Sequence, residues 1–191
     1  MKSLQSQLQA IFKAEVLPIL VENANQDFIT IKEYILNSVK THPVCRELES
    51  KSVPSQFLNS GSSTLFGFMG FEAESDPVQD LLNFLEQTIT QRVSVKISKF
   101  EMVSSVNLPS KTAMNKERSL QLPWLKGISW PIALEIGIPH FESFIGKEGI
   151  GRSELGIQAK VKGTKIPQIV RDAEMEPVDF LTPIFAEAKR K

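Results

Sequence analysis

The chain has 191 residues, of which 41% are hydrophobic and 23% are charged, a composition typical of one globular domain with a sizeable core. Its 22 basic and 22 acidic residues balance, which excludes the bulk positive charge that drives nucleic-acid binding, and no apolar run approaches the roughly 18 residues of a membrane span. The first residues show no signal-peptide pattern and Cys45 is the lone cysteine, so we expect a soluble intracellular protein without an internal disulfide.

Two amphipathic helices are predicted at the N-terminus. Apolar residues recur at three- and four-residue steps over 3–22, where Pro18 is expected to kink or end the first helix. The same periodicity returns over 27–40, after a break at Asn23–Asn25. These segments form the helical first part of the predicted fold.

The segment 41–71 predicts a long irregular connection or arm. It holds two prolines and a run of serine, glycine and threonine, and loops of this length usually serve a purpose such as contact with a neighbour. Phe66, Phe68 and Phe71 lie at its end, with glycines between them. We therefore expect these three rings to form an aromatic anchor for assembly contacts.

The segment that follows has the clearest local signal in the chain. Asp76 suits a helix cap, Pro77 suits the first helical position, and Gln79 lies three residues after the cap. A helix is predicted over 77–91.

Strand periodicity dominates the second half. Apolar residues alternate over 93–97 and resume out of phase at Phe100, which predicts a bulge near Ser98–Lys99. The strongest alternation, over 128–138, places Trp130 on the core face of a strand, and a further strand is predicted over 155–161.

These elements predict an α+β fold with N-terminal helices, a capped middle helix and a mainly antiparallel β-sheet in the second half. We expect a single domain over 1–191, with the connection or arm at 41–71 and a C-terminal arm at 180–191. Thr182 and Pro183 suit the cap and first position of a short helix within this arm.

Motifs that carry chemistry are weak. Gly61–Gly67 superficially resembles a phosphate-binding loop but lacks its terminal lysine and hydroxyl residue, and Gly151–Leu155 lacks the second glycine of a nucleophile elbow. His42 and Cys45 have the spacing of one metal-ligand pair without a second pair. None of these segments predicts a catalytic site.

Acidic and histidine residues give no stronger signal. His140, Glu135 and Glu142 could be imagined as a metal trio, although a structural histidine is the better interpretation, and Glu174 with Glu176 suits a solvated acidic loop. We therefore predict no cofactor, no metal and no enzymatic activity. An enzyme with an unrecognised site, built on His140 and Glu135, is the least favoured alternative.

Two charged segments are candidates for assembly contacts. The glycine-rich segment 146–152 is basic through Lys147 and Arg152, whereas Asp172, Glu174 and Glu176 make the later segment acidic. Two different complementary surfaces suit head-to-tail contacts around a ring, and a basic loop could also face DNA in a channel. Two ordinary solvated faces are the alternative interpretation.

Three stretches together resemble a known protein class. They are Thr41–Leu48 (THPVCREL), the segment from Ser60 that ends in LFGFMGF at Phe71, and Pro123–Ile138, which includes GISW and EIGI. The chain is similar in these stretches to virion structural proteins of contractile-tailed phages, in particular to head–tail connector, neck and tail-completion proteins.

The resemblance implies an α+β subunit of a ring through which DNA passes, located in the virion. Its implied partners are copies of itself, proteins on the portal or adaptor side, and tail-tube or tail-terminator proteins, with DNA as a passing, non-specific contact. The alternative within this class is a capsid or tail accessory protein that binds a preformed lattice.

Overall fold

The computed structural model of the chain describes residues 3–57, 64–123, 125–137, 145–147, 157–159 and 177–190. The helices are α1 (Leu4–Ile11), α2 (Leu17–Thr41), α3 (Pro43–Ser50), α4 (Leu65–Phe68), α5 (Pro77–Thr88), α6 (Lys111–Lys116), α7 (Trp130–Ile136) and α8 (Leu181–Ala188). The strands are β1 (Thr90–Lys96), β2 (Glu101–Asn107), β3 (Gln121–Leu122), β4 (Leu125–Ser129), β5 (Ile145–Lys147) and β6 (Ile157–Ala159). The strands pair antiparallel as β1–β2, β3–β4 and β5–β6, which confirms the α+β class.

The N-terminal helix is continuous from α1 into α2 through a π-helical turn at Phe12–Val16. In this turn the Leu17 N–H bonds to the Phe12 carbonyl, five residues back, and Pro18 follows directly after Leu17. The wider π turn changes the hydrogen-bond pattern at the point where proline, which has no N–H, is placed. Pro18 therefore does not end the helix.

The predicted break at Asn23–Asn25 is wrong, because α2 runs through it. Ala24 is buried, and its carbonyl accepts a hydrogen bond from Gln91 Nε2 on β1 at 2.9 Å. The low helix propensity of asparagine amounts to only about 0.7 kcal/mol per residue, so packing against the β1–β2 hairpin outweighs it.

The irregular connection predicted over 41–71 is wrong in the part that the structure describes. His42 Nδ1 accepts the Val44 N–H at the start of α3, and Thr64 Oγ1 accepts the Gly67 N–H across α4. The core includes apolar side chains from both helices and the turn after them: Val44, Cys45, Leu48, Leu65, Phe66, Met69 and Phe71. These residues build the domain and do not form an arm.

Helix α5 confirms the capping prediction. Asp76 Oδ1 accepts the Gln79 N–H at 3.1 Å, and Pro77 occupies the start of the helix. Val78, Leu81 and Leu85 are buried along one face, which packs toward α2 and α3. The helix ends at Thr88, three residues earlier than predicted.

A β-hairpin takes the place of the predicted bulged strand. β1 pairs with β2 from Thr90 opposite Asn107 to Lys96 opposite Glu101, and a short 3₁₀ turn at Ile97–Lys99 reverses the chain. Phe100 adopts a left-handed backbone conformation, with φ of 53°. The change of phase in the sequence is therefore the reversal of the chain and not an irregularity within one strand.

The strand predicted over 128–138 is wrong, because Trp130–Ile136 forms helix α7. Pro131 lies in its first turn, where proline suits a helix, and Gly137 ends it at a φ of 70°. Every residue from Trp130 to Leu134 is buried, at odd and even positions alike, so the apparent alternation comes from a helix whose first five residues are covered.

Helix α8 is docked on the core, which corrects the predicted C-terminal arm. Phe180, Leu181, Ile184 and Ala188 are buried, and the helix packs against α2 and α7. It begins at Leu181, so Thr182 lies inside the first turn and is not its cap.

The strand predicted over 155–161 contains β6, which pairs with β5. The basic loop predicted over 146–152 therefore begins within a strand, because Gly146 and Lys147 belong to β5. The remainder of that segment lies outside the described residues.

Aromatic rings meet at the centre of the core. Trp130 stacks on Phe180 with ring centroids 5.7 Å apart, and Phe71 meets Trp130 edge-on at 6.4 Å. Both Trp130 and Phe180 are fully buried. Within the described residues, no helix is long and apolar enough to span a membrane.

Candidate functional site

The His42–Cys45 pair does not form an open site. Besides its contact with Val44, the His42 ring packs on Phe180 with ring centroids 4.9 Å apart. Burial lowers the pKa of His42, although its hydrogen bond to the backbone of Asp179 acts in the opposite direction. Cys45 is fully buried, and burial, together with the nearby charge of Glu49, raises the pKa of its thiol to about 12. A neutral, covered thiol is a poor nucleophile and a poor metal ligand.

We expect Cys45 to resist alkylation at pH 8 in the folded protein and to react rapidly in denaturant. Because its folded pKa of about 12 exceeds the unfolded value of about 8.5, the thiol stabilises the fold below pH 8.5 and loses this effect as pH rises toward 12. Urea unfolding of wild type and Cys45→Ala at increasing pH measures the difference. If the free energies of unfolding of the two proteins change equally with pH, the raised pKa of Cys45 is contradicted.

Glu135 makes structural contacts. Its Oε1 accepts the Thr182 N–H at 2.5 Å, and its Oε2 lies 3.5 Å from Lys111 Nζ. The carboxylate thus joins α7 to the first turn of α8 and to α6, with a side chain that is only 6% exposed. His140 and Glu142, its imagined metal partners, lie outside the described residues.

Replacing Glu135 by alanine leaves the Thr182 N–H without its partner, so we expect a loss of about 1–3 kcal/mol in unfolding free energy. Glu135→Gln retains an oxygen acceptor and removes the ion pair with the exposed Lys111, so we expect a smaller loss, below about 1 kcal/mol. Urea titrations of the two variants measure both effects. Equal losses would show that the ion pair, and not the hydrogen bond, is the important contact.

The predicted aromatic anchor belongs largely to the core. Phe66 and Phe71 are buried with ring centroids 5.5 Å apart, and Phe68 is partly buried against the same cluster. Phe66 and Phe71 therefore cannot serve as exposed assembly contacts. The prediction missed this because an aromatic run next to glycines has the same composition in an anchor and in a core.

The charged assembly candidates remain predictions. Lys147 lies on β5, and only its backbone is described. Arg152, Asp172, Glu174 and Glu176 lie outside the described residues. The same holds for the glycine-rich segment from Gly151 and for residues 61–63 of the phosphate-loop look-alike.

The most distinctive surface lies on the N-terminal helix. The apolar stripe, as we name it, consists of residues with these exposed fractions: Leu4 72%, Leu8 47%, Ile11 49%, Val16 41% and Ile19 63%. No residue of α1 is buried. Along this stretch, Ser3–Val21, the charged residues are Lys13 and Glu15, and glutamines supply most of the polarity.

The π turn keeps the apolar stripe on one side of the helix. Its members are separated by 4, 3, 5 and 3 residues, and the step of 5 from Ile11 to Val16 spans the turn. In a regular α-helix five residues rotate a side chain by about 140° beyond a full turn. The wider π turn absorbs the additional residue, so Val16 and Ile19 remain in line with Leu8 and Ile11.

The β1–β2 hairpin braces the same helix from a different side. Phe12 is buried and meets Phe100 of the hairpin tip edge-on at 5.6 Å, while Gln91 binds the Ala24 carbonyl near the hairpin base. The hairpin also leaves apolar side chains about 40–50% exposed: Val93, Val95, Phe100 and Val103. The helix and the hairpin therefore each present exposed apolar side chains, and those of the hairpin lie on both of its faces, with Val93 and Val95 on one face and Val103 on the other.

A cleft lies where the N-terminal helix and the β1–β2 hairpin meet the core. It has a volume of about 510 Å³ and lies between α2, β2 and the end of α8. Phe28, Ile31 and Val106 line its apolar side, and Asp27 and Lys189 supply opposite charges at its edge. Among the described residues of the lining, the hydroxyls of Ser104 and Ser105 bond to Gln91 Nε2 and to the Arg92 carbonyl, and neither is paired with a base.

The sequence predicted the amphipathic helix, but the periodicity alone could not show that its stripe is uncovered.

No group of three or more histidine, cysteine, aspartate or glutamate side chains suited to a metal occurs in the described part of the chain. Comparisons with known protein families, curated proteins and solved structures find no match.

Proposed function

We propose that the chain is a structural subunit of a phage virion, forming part of the neck, head–tail connector or tail-completion ring through which DNA passes. The observation that carries the proposal is the exposed apolar stripe, a surface suited to contact with protein. The resemblance of three sequence stretches to virion structural proteins supplies the class of assembly.

The stripe belongs to a helix that is rigidly anchored. Ile35 and Val39, near the far end of α2, are fully buried in the core. From Leu4 to Thr41 the helical path has a length of roughly 57 Å, more than the core of one small domain needs. The helix thus carries the stripe away from the core, as an element that joins subunits would.

The size of the apolar surface supports a permanent contact. Exposed apolar patches larger than a few hundred Å² are rare on monomers and usually mark protein or membrane contacts. The stripe and the hairpin side chains lie on two elements that are held together through Phe12 and Phe100. A subunit that is buried in a particle would cover such a surface.

The proposed partners are further copies of the chain, portal-side or adaptor proteins, and tail-tube or tail-terminator proteins. The basic residues Lys147 and Arg152 and the acidic residues Asp172, Glu174 and Glu176 are proposed as head-to-tail contacts between neighbouring copies. DNA makes only passing contacts in this proposal, consistent with the balanced net charge.

Native mass spectrometry and negative-stain electron microscopy of the purified protein, alone and mixed with candidate neck proteins, test the proposal. A discrete closed oligomer, seen as a ring with a central channel, is the expected result in at least one mixture. A monomer in every mixture would contradict it. A monomer that nevertheless binds assembled capsids or tails would favour the accessory-protein alternative.

A further inference from the structure

We infer that the apolar stripe pairs with the same stripe on a second copy of the chain, forming a short helix–helix contact of the coiled-coil type. This inference rests on the proposed function as an assembly subunit and specifies which surface joins two copies. The contact comprises Leu4, Leu8, Ile11, Val16 and Ile19.

The spacing of the stripe is that of a coiled-coil seam. With the additional residue of the π turn set aside, the steps of 4, 3, 5 and 3 become 4, 3, 4 and 3, the alternation of heptad core positions. Such a narrow seam fits the side of another helix that has the same spacing. A second copy of the chain carries a helix with this same spacing.

The charges around the stripe disfavour other partners. Helices that lie on membranes are rich in lysine and arginine on their polar side, and nucleic-acid contacts also need basic residues. Between Ser3 and Val21, Lys13 is the one basic residue, and Glu15 lies two positions away. The stripe therefore suits an uncharged apolar protein surface, and its own copy is such a surface.

The area of the stripe is sufficient for a specific pair. The exposed fractions correspond to on the order of 500 Å² of apolar surface per copy, near the upper end of the largest patches on ordinary monomers. Two stripes together would bury roughly 1,000 Å², the lower limit for a specific protein contact. Hairpin side chains such as Phe100 can add to this area.

The helix is held in shape before pairing. Phe12 is fixed against Phe100, and Ser3 Oγ accepts the Ser6 N–H at the first turn of α1. A surface that is already ordered loses less conformational entropy on association. A short seam of five apolar positions can therefore support a measurable affinity.

Substitution of two stripe residues by the same charge tests the inference. Leu8→Glu combined with Ile19→Glu places like charges in the seam, and we expect the dissociation constant of the pair to rise at least about a hundredfold. The matched control is Ala10→Glu with Ala14→Glu, which adds the same charge at exposed positions outside the stripe. Analytical ultracentrifugation measures association, and circular dichroism verifies that the helix content is retained.

A mixing experiment identifies the occupant directly. The double variant Leu8→Lys with Ile19→Lys should also associate weakly on its own, because it places like charges in the seam. An equimolar mixture of this variant with the glutamate variant should associate again, as mixed pairs with opposite charges. Recovery supports pairing of stripe with stripe, whereas loss without recovery overturns it. Wild type that stays monomeric over a hundredfold range of concentration also overturns it.

The outcomes separate this inference from the proposed function. If wild type forms a defined oligomer that the glutamate variant retains, the stripe contact is wrong and the assembly role stands. If the glutamate variant forms smaller units in place of rings while the Ala10/Ala14 control still forms rings, the stripe contact and the assembly role are both supported. A stripe pair without any ring or particle association would support the contact and contradict the neck role.

Discussion

Trp130→Ala is expected to lower the free energy of unfolding by about 3–5 kcal/mol, one of the largest losses available to a single substitution in this chain. Trp130 is fully buried and stacks between Phe180 and the edge of Phe71. Its removal eliminates these contacts and leaves a cavity that a close-packed core fills only in part. Urea unfolding followed by circular dichroism measures the loss.

Ile136→Ala is the matched control, because Ile136 lies on the same helix and is about half exposed. We expect this control to lose less than about 1 kcal/mol. If Trp130→Ala unfolds at the same urea concentration as wild type, α7 is not at the centre of the core. Trp130 Nε1 has no hydrogen-bond partner in the described part of the chain.

Phe180→Ala is expected to cost a similar 3–5 kcal/mol and to release α8 from the core. Phe180 is fully buried immediately before α8 and contacts both Trp130 and His42. The first turn of α8 also depends on Glu135, whose bond with Thr182 requires the helix to be in place. Hydrogen exchange should therefore increase over 181–188 more than over α5.

Phe185→Ala is the control for this variant, because Phe185 is on α8 itself but only partly buried. It should destabilise the protein less and leave exchange over α8 close to that of wild type. If Phe180→Ala leaves the stability and the exchange of α8 unchanged, the segment 180–191 behaves as an arm, as the sequence had predicted.

Local signals in the sequence predicted the elements whose causes are themselves local. The Asp76 cap and the adjacent Pro77 determine where α5 begins, and the cap bond to the Gln79 N–H spans only four residues. The strand periodicity of β1 and β2 was also predicted correctly, although the reversal at Ile97–Lys99 was not. No glycine or Asn-Gly pair marks this reversal, since Phe100 itself adopts the left-handed conformation.

The errors arose where tertiary burial determines the structure. Helix α7 alternates large residues with Pro131 and Ala133, which are apolar as well, so the pattern lacks the polar face that distinguishes a half-buried strand. Helices α3 and α4 are too short for periodicity to reveal. In the sequence, their capping residues His42 and Thr64 could not be distinguished from residues of a loop.

The candidate site was predicted in part. The sequence predicted assembly contacts on three aromatic residues and on two charged segments, and of these residues the fold buries Phe66 and Phe71. It also identified the stripe as amphipathic, yet an amphipathic helix is equally compatible with an internal contact. Only the arrangement of the hairpin, which covers Phe12 and leaves Leu8 and Ile19 open, distinguishes the two.

The π turn constrains how the length of this helix can vary. Deleting Ala14 would convert the turn to regular α-helix and leave the five apolar residues aligned, so the surface tolerates such a deletion. The proline that now follows the turn would then lie inside a regular helix, at a cost of about 3 kcal/mol. Among related chains, we therefore expect loss of one residue here to accompany replacement of Pro18.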